Sequence, residues 1–321
     1  MLDHGGDIDR AVRRFGGCRS DWVDLSTGIN RKPFPVPRLD AACWTALPPQ
    51  SDIAALCDAA RKVYGTTAPV VALAGAQMAI QFVPHLSSKG NARVLSPTYN
   101  EHAATLRAAG WHVEEVSDLD ALAGADVAVV VNPNNPDGRR YPPERLLALL
   151  PRVGRLVVDE SFVDAEPDLS LATHAGTPGL LVLRSFGKFY GLAGVRLGFA
   201  LASEADARHL ASLSGPWPIS GPAIAIGIAA LSDRTWQATT TGRLAADAIR
   251  LDKLVGNIGW RFVGGTHLFR LYDTGDAILA QERLAQSRIW SRIFPWSAKF
   301  LRLGLPGDER EWARLSRALQ A

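Results

Sequence analysis

An α/β fold, with a mostly parallel central sheet and helices on both faces, is the class this sequence predicts. Three observations predict it. Short apolar runs alternate with helix-like stretches through the middle of the chain, and uninterrupted apolar runs of that length mark strands covered on both faces. Polar, glycine-rich segments follow those runs directly, as loops at the carboxyl ends of parallel strands do. Finally, 47% of the 321 residues are apolar against 21% charged, enough chain to bury a large core.

The elements follow in order. Val70–Leu73 is a strand that passes through Ala74-Gly75-Ala76-Gln77 into a helix over Met78–Leu86. Arg93–Leu95 runs through Ser96-Pro97-Thr98-Tyr99 into a helix over Glu101–Ala109. Val127–Val131 ends at Asn132-Pro-Asn-Asn-Pro-Asp-Gly138, a run of turn formers, and Glu144–Leu150 is the next helix. Leu156–Val158 ends at Asp159-Glu160, Leu180–Leu183 ends at Arg184-Ser185-Phe186-Gly187-Lys188, and Gly198–Ala202 is one more strand. Beyond residue 225 the pattern changes. A helix over Leu244–Leu254, one strand over Arg261–Leu271 bent at Gly264-Gly265, a helix over Gln281–Arg288, a strand over Phe300–Leu305 and a closing helix over Glu309–Leu319 suggest a smaller α+β domain. The expected division is an arm over residues 1–35 that joins the small domain, a large domain over 36–224 and the small domain over 225–321.

Composition excludes several classes. The net charge is +3 with no basic stripe, so no nucleic-acid partner is expected. No apolar run has membrane-spanning length, and Met1-Leu-Asp-His-Gly-Gly lacks the basic start and apolar stretch of a signal peptide. Cys18, Cys43 and Cys57 have no metal-type spacing, and no metal site is expected; they read as thiols of a cytoplasmic protein. Lysine chemistry has few candidates, because most of the positive charge is arginine.

One of those lysines stands out. In Ser185-Phe-Gly-Lys188-Phe-Tyr-Gly-Leu-Ala-Gly-Val-Arg196-Leu-Gly198 a strand delivers a hydroxyl, then a lysine, then a glycine-rich turn with an arginine. Lysine forms a Schiff base with an aldehyde, and serine and arginine suit a phosphate. An aldehyde and a phosphate on one cofactor mean pyridoxal 5'-phosphate. Asp159, at the end of a buried strand, is either a helix-capping acid or the partner of a cofactor pyridinium nitrogen. Asn135 is accounted for by turn chemistry alone, or donates its amide to the cofactor's phenolic oxygen. Gly75, Ala76 and Gln77 open a helix whose N–H groups favour a phosphate. Tyr99, after a strand, is a core aromatic or stacks on the ring. Five loops, at Gly75, Tyr99, Asn135, Asp159 and Lys188, are expected to converge on one cleft.

Taken together, Gly75-Ala-Gln77, Pro97-Thr-Tyr99, Asn135-Pro-Asp-Gly138, Asp159-Glu-Ser-Phe162, Ser185-Phe-Gly-Lys188 and Arg196 resemble the fold-type-I pyridoxal-phosphate enzymes of aminotransferase class I/II. The resemblance covers most of the chain. It implies that Lys188 carries the cofactor, Asp159 faces the ring nitrogen, Asn135 the ring oxygen, and Tyr99 stacks. It also implies that Ala76, Gln77, Ser185 and Arg196 hold the phosphate, and that Arg302, in Phe300-Leu-Arg-Leu-Gly304, takes a substrate α-carboxylate. A homodimer is implied as well.

Two branches of the family compete, the histidinol-phosphate aminotransferases and the threonine-phosphate decarboxylases of cobalamin synthesis. His4-Gly5-Gly6 and the segment Asp24–Asn30 resemble the second, which implies a phosphorylated amino acid as substrate, gripped by His4, Gly5, Gly6 and Asn30. Phe162 also resembles the second branch, since aminotransferases carry a tyrosine donor there. The same residues serve either reaction, so the aminotransferase stays open, as does a non-catalytic partner of a cobalamin-assembly complex. Ser185-Phe-Gly-Lys188 also fits the Ser-x-x-Lys of penicillin-recognising acyl enzymes, but their Ser-Asp-Asn and Lys-Thr-Gly partners are missing. Two features depart from the family: the chain is short, and Leu47-Pro-Pro-Gln-Ser-Asp52 lacks the tyrosine that usually reaches a neighbouring subunit's cofactor phosphate.

Overall fold

Two compact units make up the chain in a computed structural model that describes residues 4–320; Met1–Asp3, the start of the expected arm, and Ala321 lie outside the described residues. The larger unit is Phe34–Asn135 with Arg140–Trp236. The smaller one holds the chain up to Pro33, the short segment Pro136–Arg139, and everything from Gln237 on.

In chain order, the smaller unit begins with helix α1 (Ile8–Phe15) and a two-residue strand β1 (Val23–Asp24). The larger unit then runs α2 (Ala42–Thr45), α3 (Gln50–Tyr64), β2 (Val70–Leu73), α4 (Ala76–Phe82), β3 (Asn91–Leu95), α5 (Glu101–Ala108), β4 (His112–Val116) and β5 (Val127–Val131). It continues with α6 (Pro143–Leu147), β6 (Arg155–Asp159), β7 (Leu180–Ser185), α7 (Phe186–Phe189), β8 (Gly198–Leu201), α8 (Glu204–Ser214) and α9 (Gly221–Ser232). Helix α10 (Arg234–Gly256) passes from one unit into the other, followed by β9 (Arg261–Thr266), β10 (Phe269–Asp273), α11 (Ala277–Gln286), β11 (Ile289–Trp290), β12 (Arg292–Phe294), β13 (Ser297–Gly304) and α12 (Glu309–Gln320).

The seven-stranded sheet has the order β2-β8-β7-β6-β5-β3-β4. Its neighbours from β7 through β4 are parallel, and β8 alone runs against both of its neighbours. Valines 127, 129 and 157 with Leu181 and Leu183 are fully buried, and the α4 residues Ala79 and Ile80 and the α5 residues Ala103 and Leu106 share their core cluster. Each such leucine or valine contributes roughly 1.5–3 kcal/mol by leaving water. Strand β4 escapes the sequence reading because it is an edge strand. His-Val-Glu-Glu-Val is mostly exposed, so it lacks the continuous apolar run that marks its neighbours.

The smaller unit carries an antiparallel sheet in the order β12-β13-β10-β9 and a short parallel pair of β1 with β11. The single bent strand expected over Arg261–Leu271 is instead the hairpin β9–β10, turning at His267-Leu268. Gly264 and Gly265 serve another purpose there. A Cβ on Gly264 would lie 2.0 Å from the Asp137 carbonyl oxygen, and one on Gly138, at φ +70°, would lie 2.3 Å from that of Gly265. The bare backbones let Pro136–Arg139 lie on the hairpin, which is why that segment belongs to the smaller unit. The expected hand-over at residue 225 falls instead inside α10, because α9 packs on α3 within the larger unit.

On the sheet's other face lies a buried charge cluster. Arg184 donates to Glu160 at 3.1 Å and to Asp164 at 2.6 Å, with its guanidinium 4.0 Å from the Tyr64 ring centroid. Glu160 also accepts from the Ser170 hydroxyl and the Leu171 N–H, both at 2.6 Å. Burial pushes both carboxyls up, against the pull of Arg184. Removing the cation strands two buried carboxylates, so Arg184→Met is expected to lower stability by roughly 3–5 kcal/mol in urea unfolding. A loss within the error of the wild-type curve would show that the cluster is not holding the strand ends.

Candidate active site

The carboxyl ends of β2, β3, β5, β6 and β7 deliver the expected residues to one cavity in the larger unit. Gly75, Ala76, Gln77, Tyr99, Asn135, Asp159, Ser185, Lys188 and Arg196 all line it. All nine expected cofactor residues therefore meet. Phe162 lines the same cavity, and the Lys188 ammonium lies 5.7 Å from its ring centroid.

The phosphate end of this cavity is shaped by missing side chains. Gly75 caps α4 at φ +83°, and a Cβ there would lie 2.8 Å from the Arg196 guanidinium. A Cβ on Gly198 would lie 2.3 Å from the Ala76 nitrogen. A glycine cap brings no side chain to compete for the first-turn N–H groups of α4, and Ser185 likewise makes no capping hydrogen bond to α7. Arg196 itself sits at φ +56°, a left-handed conformation that non-glycine residues adopt under strain at functional sites. A phosphate matches this cradle of N–H groups, hydroxyl and guanidinium.

At the other end, Asp159 is 2% exposed. It accepts from the His102 ring at 2.9 Å, from the Ser161 N–H at 2.9 Å and from the Ser161 hydroxyl at 2.5 Å. Burial pushes its carboxyl up, yet these donors outweigh burial and hold it below the usual range. Asp159 caps no helix, but it closes the turn at Ser161 and stays an ionised carboxylate, the state a pyridinium nitrogen needs. His102, Ser161 and Glu101 were missed in the sequence. The signal for His102 was its place three residues after Tyr99, on the inward face of α5.

The Gln77 side chain is engaged with Tyr99 and Glu101, at 3.2 and 2.7 Å, which leaves its backbone N–H as the group expected to meet a phosphate. Tyr99, pushed up to about 12 by burial and by the Glu101 and Asp159 charges, stays protonated.

The expected substrate residues lie in the smaller unit. Arg302 is buried, donates to the Ser26 carbonyl at 2.7 Å and lies across β13–β12 from Arg292. Burial, then the Arg292 charge, push it down to about 9 against the pull of Asp24, so it keeps its charge at neutral pH. His4 and Gly5 line a cleft with Arg10, Ser26 and Arg292. Gly6, expected to offer its N–H to a phosphate, spends it on the Ser26 hydroxyl at 2.7 Å. Asn30 is buried, its side-chain oxygen accepting from the Lys32 N–H at 3.0 Å and from Arg243 at 2.8 Å.

Fold and site together define a fold-type-I pyridoxal-phosphate protein. Residues 21–319 match the aminotransferase class I and II family, and the chain belongs to it. Among its relatives, the threonine-phosphate decarboxylase of Pseudomonas aeruginosa is 46% identical over 99% of this chain and 97% of its own length. The threonine-phosphate decarboxylase of a Sinorhizobium species is 42% identical over 98% and 97%. The crystal structure of histidinol-phosphate aminotransferase from Sinorhizobium meliloti, in complex with pyridoxal-5'-phosphate, matches the fold with a TM-score of 0.86. It covers 99% of this chain and 94% of that one at 21% identity.

A carboxyl held below its unfolded value stabilises the protein above that value and loses the contribution as pH falls through it. His102→Phe should therefore move acid unfolding to higher pH, from below about 4. It should also cost about 1–3 kcal/mol at neutral pH. Acid-unfolding curves that superimpose on wild type would remove His102 from this role.

Proposed function

We infer that this chain is a pyridoxal-phosphate-dependent carboxy-lyase that converts L-threonine O-3-phosphate to (R)-1-amino-2-propanol O-2-phosphate and CO2, in cobalamin synthesis. The observation that carries the reading is full-length similarity to threonine-phosphate decarboxylases together with the convergence of Lys188 and Asp159 on one cavity. Bound to Lys188, the cofactor supplies an electron sink for the pair left on Cα when CO2 departs.

The chain's own residues do the rest. Asp159, kept ionised by His102 and Ser161, holds the proton on the ring nitrogen. Asn135 donates to the ring oxygen, and Tyr99 packs against the ring. Ala76 and Gln77 N–H groups, Ser185 and Arg196 hold the phosphate. Lys188 would hold the cofactor and, as the nearest ammonium, would return a proton to Cα. Arg302 takes the α-carboxylate, and the substrate phosphate falls to Arg292, His4 and Asn30. Orientation of this kind is worth roughly 7–11 kcal/mol in favourable cases. Phe162 withholds the hydroxyl donor that aminotransferases place beside the ring oxygen.

A second copy of the chain is expected against the larger unit, where Trp44 is 68% and Trp217 54% exposed around a groove that includes Arg196 and Leu47. With no tyrosine in Leu47–Asp52, the partner brings no tyrosine hydroxyl to the phosphate end. A cytoplasmic setting fits the three free thiols, and among the described residues no helix is long and apolar enough to cross a membrane.

Purified protein given phosphothreonine should release CO2 without any keto-acid acceptor, with aminopropanol phosphate identified by mass spectrometry. Acceptor-dependent turnover of histidinol phosphate instead would make it an aminotransferase. Lys188→Ala should abolish the visible cofactor band, whereas Arg302→Ala should keep it and raise KM by about ten- to a hundredfold, the loss of a charge-assisted pair.

A further inference from the structure

We propose that Glu101 is a positioning residue that fixes the stacking ring of Tyr99 through Gln77, a role that rests on the cofactor reading above. Glu101 is the first residue of α5 and Gln77 lies in the first turn of α4. The Gln77 amide nitrogen donates to the Glu101 carboxylate at 2.7 Å, and its amide oxygen accepts from the Tyr99 hydroxyl at 3.2 Å. Gln77 and Tyr99 both line the cofactor cavity.

The direction of this relay follows from donor and acceptor chemistry. An ionised carboxylate only accepts, so Glu101 must face the amide NH2. That turns the amide oxygen to the tyrosine, which can then only donate. Tyr99 is able to do so because burial, Glu101 and Asp159 keep its hydroxyl protonated to about pH 12. Without an acceptor at 101, either end of the amide can meet a hydroxyl, and the ring loses its fixed tilt. A ring that sets the plane of the cofactor must be held along its body and at its far end. Tyr99 packs on the core cluster and meets the His102 ring edge-on, 6.2 Å between centroids, while its hydroxyl donates to Gln77. Glu101 lines neither the cofactor cavity nor the cleft of His4 and Arg292, so its loss should act through Gln77 on the cofactor and on turnover, not on substrate capture.

Glu101→Leu breaks the relay, and Glu101→Gln keeps an acceptor oxygen while removing the charge. In the holoenzyme, Glu101→Leu should raise the pyridoxal phosphate dissociation constant and lower kcat, each by about tenfold, the scale of a lost hydrogen bond to a charged group. KM for phosphothreonine should stay within about twofold, and Glu101→Gln should recover most of both losses. Gln77→Leu should reproduce the defect, and the double variant should be no worse than either single one, because both act through one chain of contacts. Wild-type cofactor affinity and kcat in Glu101→Leu would overturn the proposal. So would a defect that Glu101→Gln fails to recover, a change confined to KM, a loss of thermal stability alone, or additive effects in the double variant. Wild-type protein that takes up no pyridoxal phosphate would instead defeat the reading on which the proposal rests.

Discussion

Asp159 is a full negative charge in the middle of a protein core, and the surroundings of the site are organised around keeping it charged. Taken out of water alone, a carboxylate would take up a proton. Three donors prevent that: a histidine ring from α5 and the N–H and hydroxyl of Ser161. The arrangement requires β6 to end where it does and α5 to present His102 toward it. The register of β6 beside β5 and β7 sets the first of these, with Asp159 opposite Val131 and Leu183. A one-residue slip would turn Asp159 to the other face.

What guards against such a slip is the charge cluster on that other face. Adjacent residues of a strand point to opposite sides, so Arg184 and Ser185 look away from each other, as do Asp159 and Glu160. Arg184 bridges the ends of β6 and β7 through Glu160, while Ser185 and Asp159 face the cavity. Slipping either strand would bring a charge of this cluster into the apolar core between sheet and helices. The catalytic side and the structural side of the sheet thus constrain one another through backbone alternation alone.

Much of this was legible in the sequence, for a physical reason. Buried parallel strands must be continuously apolar, so Val127–Val131, Leu156–Val158 and Leu180–Leu183 announce themselves, and the residues after them form the site. Where that constraint relaxes, legibility falls. The edge strand β4 alternates with polar residues and was not seen. The reversed direction of β8 leaves no trace in its composition, because a central strand is apolar whichever way it runs. Gly264-Gly265 signalled close approach, which was read as a bend, but the approaching partner is a segment more than a hundred residues away in sequence. His102, Ser161 and Glu101 were hidden because each acts on another side chain, and a single sequence records residues, not pairs.

The smaller unit presents the complementary problem, two like charges side by side. Arg292 and Arg302 are direct partners on adjacent antiparallel strands, where like charges are destabilising. Arg302 is buried besides, which is why its charge is harder to keep than that of an ordinary arginine. A substrate of the proposed kind, carrying both a carboxylate and a phosphate, adds one negative group for each arginine. On the proposed reading this also bears on reaction choice. Two anionic groups held at fixed points would restrict rotation of an amino acid about Cα. The acid–base residues around Lys188 are the same for either outcome. On that reading the distinction between losing CO2 and losing a proton would rest on how the substrate's anionic groups are held, and not on the chemistry of the lysine.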